Sequence, residues 1–444
     1  MSELHGNFSQ NLKNIGTVGR SLSTWLLLLV PLSAAIGALC AVFLWLLDWA
    51  TQSRFHYPNI LYLLPVGGAA VAWIYARFGG TSDAGNNLIV DEIHTPSAGV
   101  PLRMAPLVFF GTIITHLFGG SAGREGTAVQ LGGSLASTAG KYLHLSNAQT
   151  RLLLMAGVAA GFGAVFGTPL AGAIFALEVL AVGRLDYAGL LPCLLASLIA
   201  DWTCHSLGAH HTLYHISYVP PASAPLFQHP LLLAKAALSG VAFGLVALIF
   251  AEANHKFGAL MKRLVPFSPL RAAIGGCAVI ALVWIFQTRA YLGLGVWSAI
   301  PGDPTISGFF APSTDYWSWA LKLLFTVVTL STGFKGGEVT PLFFIGAALG
   351  HALAGLLNAP TDLFAGLGFV AVFAAAANTP IACTLMGIEL FGAANAVPIT
   401  IACWVAYTCS GHHGIYLSQR IATPKHDRLT TTLNDTLRSI RPVK

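Results

Sequence analysis

Charge is what this 444-residue chain has least of: Asp, Glu, Lys and Arg together make up 9% of it, against about 25% in ordinary soluble domains. A water-facing surface cannot be covered with so few charges, and a mean hydropathy of +0.70 leaves a multi-span helical membrane protein. Long polar stretches are absent as well, so the sequence predicts no extra globular domain and no tail of regulatory domains. Paired cysteines are missing: Cys40, Cys193, Cys204, Cys277, Cys383, Cys403 and Cys409 lie singly in or beside apolar runs, which marks structural thiols. There is no HExxH, and the histidines His205, His210, His211 and His215, with His412 and His413 further on, are not joined to a carboxylate at metal-ligand spacing. No metal, no cofactor and no enzymatic activity are expected. A basic patch interleaved with aromatics is also lacking, which excludes a nucleic-acid partner.

What charge there is has a sided distribution. Lys13 and Arg20 precede a long apolar run from Leu27 to Leu47, which is too long for the core of a cleaved signal peptide and is expected to be a retained first helix. Lys256, Lys262, Arg263 and Arg271 cluster mid-chain, and Arg420, Lys425, Arg428, Arg438, Arg441 and Lys444 close it. The positive-inside rule puts these three segments, and so both termini, in the cytoplasm. Gly208 to Pro230 holds no Lys or Arg and suits an outward loop, so the net charge of +6 mostly reflects topology. The expected location is the cell membrane, the inner one in a bacterium. The expected divisions are a cytoplasmic segment 1–22, a first transmembrane repeat 23–210, a second repeat 211–420 and a short basic tail 421–444.

The repeats are read from two motifs that each occur twice. Gly123, Glu125 and Thr127 in GREGT reappear as Gly336, Glu338 and Thr340 in GGEVT, and TPLAGAIFALE (Thr168 to Glu178) reappears as TPIACTLMGIE (Thr379 to Glu389). Carboxylates among glycines and apolar residues are expensive in a membrane and are usually kept for function, and duplicated interrupted segments point to a transporter made of inverted repeats. Several apolar runs are too short to span alone, and others are too long for one helix. The interruptions, GFGAVFGTPLAG and AAAANTPIAC, are rich in Gly and Pro, and irregular backbone at membrane depth survives only inside protein or along a cavity. Glycines ahead of apolar helices leave open N–H groups at helix starts, where the dipole favours an anion. The cargo is therefore expected to be an anion.

Four stretches carry a family resemblance: GREGT, GFGAVFGTPLAGAIFALE, GGEVTP and GIYLSQR (Gly414 to Arg420). In order and spacing, from about Leu26 to Arg420, the chain resembles the CLC superfamily of anion channels and proton-coupled antiporters. The resemblance implies an all-α multi-pass membrane protein with the CLC-type fold of two inverted-topology repeats of tilted and broken helices, assembled in the lipid bilayer as a homodimer with one pore per subunit. It also implies that Glu125 is the gating glutamate, competing with anions when deprotonated and swinging aside when protonated.

The chain departs from the chloride-handling pattern in four places. GNNLI (Gly85 to Ile89) stands where a serine-bearing GSGIP is usual, GREGT replaces GREGP, Glu178 is followed by Val179 instead of a second glutamate, and GGEVTP replaces GxFxP. These departures resemble the fluoride/proton antiporter branch. Fluoride is small and tightly hydrated, so its site needs strong, close donors. The anion-binding set so implied is Asn86, Asn87, Gly123, Arg124, Gly126, Thr127, Val339, Thr340 and Tyr416, with Glu125 and Glu338 handling protons. A chloride/proton antiporter or passive chloride channel is the alternative. Glu178 and Glu389 are expected to be architectural, and Asp91, Glu92 and His94 to form a solvated connection.

Overall fold

The computed structural model describes residues 2–219, 230–426 and 435–441, with backbone alone for residues 2–24. Arg428 and Lys444 of the basic tail lie outside the described residues. Fifteen α-helices and a single pair of two-residue strands make up the fold among those residues. Seven helical stretches are long and apolar enough to cross a membrane, and six further apolar helices of 10–17 residues are too short to do so upright.

The helices recur in one order: α1 (Ser2–His56), α4 (Met104–Leu117), α5 (Glu125–Tyr142), α6 (Asn147–Phe166), α7 (Pro169–Glu178) and α8 (Leu190–Ser206) are matched by α9 (Pro230–Leu264), α11 (Ser318–Ser331), α12 (Val339–Leu357), α13 (Thr361–Ala377), α14 (Pro380–Phe391) and α15 (Ala396–Cys409). The breaks in the two copies have the same cause. α6 ends at Gly167 (φ 70) and α13 at Asn378 (φ 57), both left-handed, and in each case a Thr-Pro step follows, the proline opening the next helix. A left-handed residue ends a helix by turning its last N–H back onto the final turn, and proline fits the first helical position because its missing N–H would be unpaired there anyway.

Packing is set by small residues at helix crossings. A Cβ at Gly132 would stand 2.0 Å from the carbonyl oxygen of Gly157, joining α5 to α6, and one at Gly346 would stand 2.0 Å from that of Gly368, joining α12 to α13. Gly37 meets Ala200 O at 2.3 Å between α1 and α8, and Gly244 meets Ala406 O at 2.5 Å between α9 and α15. Lipid supplies no hydrophobic drive for helices to associate, so close backbone approach and dispersion must hold them together. A dry aromatic core then fills the junction of the repeats, with Phe162 stacked on Phe175 at 4.3 Å and Phe343 on Phe369 at 4.1 Å between ring centroids.

The two repeats also cap one another. Glu178, the last residue of α7, accepts from Ile381 N at 3.0 Å and Ala382 N at 2.8 Å, at the start of α14. Reciprocally, Glu389 near the end of α14 accepts from Leu170 N at 2.9 Å and Ala171 N at 2.8 Å, at the start of α7. Each carboxylate satisfies two helix-start N–H groups that have no partner inside their own helix. The architectural role expected of both glutamates takes this form. Glu178→Ala strands two helix-start donors, one buried and one part-buried, each worth up to about 1–3 kcal/mol, and is expected to lower the thermal midpoint in detergent more than Glu178→Gln, which keeps one acceptor; equal midpoints for the two variants would contradict the capping role.

One expectation is corrected here. Asp91, Glu92 and His94 lie on a short helix, α3 (Asn86–His94), not in a connection; Asp91 is exposed as expected, but Glu92 is buried and His94 half-buried. Glu92 is buried and accepts from Ser97 N at 2.8 Å and from the Ser97 hydroxyl at 2.5 Å, Asp91 accepts from the Ser418 hydroxyl at 2.8 Å, and His94 Nε2 lies 2.8 Å from Leu180 O. The helix is docked on both sides, so its polar residues are spent on fixing it.

Candidate functional site

Both copies of the glycine-glutamate motif meet at one point. Gly123 N donates to Gly337 O at 2.6 Å and Gly337 N donates to Gly123 O at 2.8 Å, a two-bond antiparallel bridge between the loops that open α5 and α12. Side chains would prevent that approach. A Cβ at Gly123 would lie 2.9 Å from Pro341 Cδ, one at Gly337 would lie 2.9 Å from Gly126 N, and one at Gly126 would lie 3.1 Å from Asn86 Nδ2. Two helix starts, and the amide of Asn86 from a third helix, therefore converge near the middle of the fold.

The carboxylate of Glu125 occupies this convergence. Thr340 Oγ1 donates to it, 2.6 Å from both Oε1 and Oε2, while Thr340 N and Arg124 N each stand 3.1 Å from Oε2. Arg124 Nε approaches Oε1 at 3.5 Å, and Glu125 itself is 1% exposed. A negatively charged group thus sits on donors contributed by both repeats. An anion needs the same donors, so carboxylate and anion exclude one another there.

Other residues expected in the site divide by what their polar atoms do. Asn86 opens α3 behind Gly85, whose φ of 58 and ψ of −133 belong to glycine, and its Oδ1 is buried with no partner. Asn87 instead accepts at Oδ1 from Ser418 N at 2.9 Å, tying the segment that bears Tyr416 to α3. The Thr127 hydroxyl is turned away to pair with Thr112 Oγ1 at 2.7 Å, which leaves its backbone in the first turn of α5 as its contribution to the site. The Gly123 N–H is committed to the bridge. Val339 and Thr340 open α12 and are buried, as is Tyr416. Residues that brace the loop ahead of Glu125 were not singled out beforehand: His116 Nε2, in the last turn of α4, lies 3.0 Å from Ala122 O, and Ser121 Oγ lies 3.0 Å from Thr326 Oγ1.

Below the bridge lies a cavity of about 170 Å³, lined among others by Asn86, Asn87, Lys335, Glu338 and Tyr416. Glu125 is not in its wall. A vestibule of about 680 Å³ adjoins it, sharing Tyr75, Asp83, Asn254, Leu330, Phe334 and Lys335 with the smaller space and adding Lys262, Arg271 and Arg441. It opens on the side of the connection from α9 to α10 (Ser268–Phe286) and of the C-terminal segment. The two glutamates are thus separated in place: Glu125 is enclosed in the donor cluster, and Glu338 lines the cavity next to the vestibule. Among the described residues no group of three or more His, Cys, Asp or Glu side chains is placed to hold a metal ion.

The model of the voltage gated chloride channel family matches residues 67–411. The chain belongs to this family. Its relatives include a chloride/fluoride channel protein of Pseudomonas syringae pv. tomato, 49% identical over 407 residues that cover 92% of this chain and 88% of the relative. A voltage-gated ClC-type chloride channel ClcB of Shigella flexneri is 29% identical and covers 91% of the chain and 88% of its own length. Among solved structures, a CLC-type fluoride/proton antiporter superposes with a TM-score of 0.84 at 36% identity, covering 90% of this chain and 98% of that one. A slow cyanobacterial Cl−/H+ antiporter superposes with a TM-score of 0.74 at 19% identity, covering 87% and 94%, and supports the fold alone. The architecture described above is thus that of the family.

Proposed function

We propose that the protein exports fluoride in exchange for protons. The observation that carries this reading is the Thr340 hydroxyl and N–H, which hold the Glu125 carboxylate at 2.6 Å and 3.1 Å. Short, charge-assisted donation from a hydroxyl and a helix-start amide replaces the tight hydration of a small hard anion, whereas chloride makes no such demand. Similarity to a CLC-type fluoride/proton antiporter over 90% of the chain supports the same choice. The anion site then consists of Asn86, the helix starts at Gly126, Thr127, Val339 and Thr340, and Tyr416 below. Arg124 sets the field around the gate, and Gly123 and Asn87 hold the surrounding loops.

Glu125 is the coupling group in this reading. Deprotonated, it fills the anion's place; protonated, it loses the charge that binds it to those donors and yields to fluoride. Glu338 is the second proton-handling residue, on the wall of the inner cavity, in a chain where Val179 follows Glu178 and offers no acid there. The basic side, with Lys262, Arg271 and Arg441 around the vestibule, faces the cytoplasm by the positive-inside rule. The unit is a homodimer with one pathway per subunit in the cell membrane, which subunit counting in detergent or bilayer checks.

Thr340→Val keeps the shape and removes the hydroxyl. A hydrogen bond to a charged group contributes about 1.5–3 kcal/mol, so fluoride transport at subsaturating concentration is expected to fall about ten- to hundredfold. Fluoride and chloride efflux from proteoliposomes, followed with ion-selective electrodes, provides the measurement. The wild type is expected to pass fluoride in strong preference to chloride. Equal transport of the two ions would refute the fluoride reading and favour a chloride antiporter or channel of the same family.

A further inference from the structure

Lys335 is a cation that the gate does not use. It stands three residues before Glu338, and its Nζ lies 2.5 Å from Asp83 Oδ1 and 4.0 Å from the centroid of the Tyr75 ring. The side chain of Lys335 is 18% exposed and that of Asp83 is 63% exposed. Its stem runs along α4, where a Cβ at Gly111 would meet Lys335 Cβ at 3.1 Å. Of the residues that line the cavity below the bridge, Lys335 is the one base, set against two carboxylates, Asp83 and Glu338. Among the described residues Glu338 forms no ion pair with another side chain, so the cation is spent on the outer carboxylate and the inner one is left without an ion-pair partner.

We propose that Lys335 is a further anion-handling residue of the pathway, and that Asp83 is the stand-in it releases when an anion enters. The inference rests on the export reading. An anion passing from the vestibule to the Thr340 donors must cross a small cavity that already carries two acidic groups. At short range and reduced dielectric that repulsion is large, and Lys335 is the base in the wall that can offset it. A lysine ammonium is a compact charge on a flexible stem, able to swing between neighbouring anions. Asp83 can be released because most of its side chain already meets solvent, where an exposed ion pair is weak and its carboxylate is rehydrated at once. The pair joins the turn ahead of Asn86 to the loop ahead of Glu338, so its opening also frees the two segments that flank the cavity.

A tether and an anion-handling cation make opposite demands on the two partners. If the pair were only a brace, removing either side would weaken transport in the same direction. As an anion competitor, Asp83 holds Lys335 back, so removing it should help the anion. The test uses full-length protein in proteoliposomes with fluoride as the probe, and measures the fluoride concentration for half-maximal efflux from the vestibule side. Lys335→Gln is expected to raise that concentration on the order of tenfold, Lys335→Arg to restore most of it, and Asp83→Asn to lower it several-fold. A change in the same direction for Lys335→Gln and Asp83→Asn, or no change in either, overturns the proposal. Should Lys335→Gln fail to reconstitute, Asp83→Asn alone decides: a lower half-maximal concentration supports the competition, and an equal or higher one refutes it. Wild-type vesicles carried through the same assay keep the export reading separate, since equal fluoride and chloride efflux there would sink that reading whatever the variants do.

Discussion

Glu125→Gln is expected to abolish proton movement while leaving an anion pathway that no longer needs protons. The amide matches the carboxylate in size and still offers one oxygen to Thr340, whose hydroxyl donates at 2.6 Å in the native site. It can neither take up nor release a proton, and it brings no charge to compete with an anion for the donors of α5 and α12. General acid–base groups in proteins contribute about 10²–10⁴-fold to the steps they serve, so proton flux should drop to background, at least about a hundredfold. Fluoride should then flow passively down its gradient. A pH electrode and a fluoride electrode in the same vesicle suspension read both fluxes. An unchanged ratio of protons to fluoride would remove Glu125 from the coupling step.

Gly346→Val is expected to cost the fold. A Cβ at Gly346 would stand 2.0 Å from the carbonyl oxygen of Gly368, and that atom belongs to the backbone of α13, which no rotamer can move aside. Overpacking a filled core costs about 1–3 kcal/mol and sometimes more, and here α12 would be displaced together with Val339 and Thr340, its first two residues. Gly258→Ala is the control, since its nearest neighbours lie at 3.7 Å and it has an ordinary helical backbone. Size-exclusion profiles and thermal midpoints in detergent should separate the two clearly. A monodisperse Gly346→Val with native stability would mean that the α12–α13 contact is not a constraint.

Features governed by local chemistry could be read from the sequence. Gly167-Thr168-Pro169 and Asn378-Thr379-Pro380 announce a helix end and a new start because a left-handed residue and a proline act within a few residues of themselves. The same holds for the glycines before Glu125 and Glu338, and their duplication suggested that the two starts face each other. The family resemblance then supplied the fold and the gate, and the departures at Asn86, Thr127, Glu338 and Thr340 suggested the cargo.

What could not be read depends on partners distant in the chain. Asn86 and Asn87 are adjacent and chemically identical, and the difference between them is that Ser418 N takes the oxygen of one. Thr127 looked like a donor for the anion, but its hydroxyl pairs with that of Thr112 on α4. Asp91, Glu92 and His94 read as solvated because polar residues in a short stretch usually are; Asp91 is indeed exposed, and only the docking of α3 shows that Glu92 is buried and that all three hold partners. Glu178 and Glu389 were recognisable as related by the repeat, while the crossing of their caps required both helices in place. Lys335 carried a usable signal that was passed over: a charge beside a membrane-buried motif is rarely idle.

The duplicated Glu and Thr are central to the proposed exchange: the first copy provides the Glu125 carboxylate, and the second provides the Thr340 hydroxyl that holds it at 2.6 Å. Coupled exchange is what the proposal predicts. In proteoliposomes at symmetric pH, an imposed fluoride gradient should drive protons in the opposite direction and uphill, and an equal chloride gradient should not. Fluoride moving without protons, or chloride driving protons equally well, would contradict it.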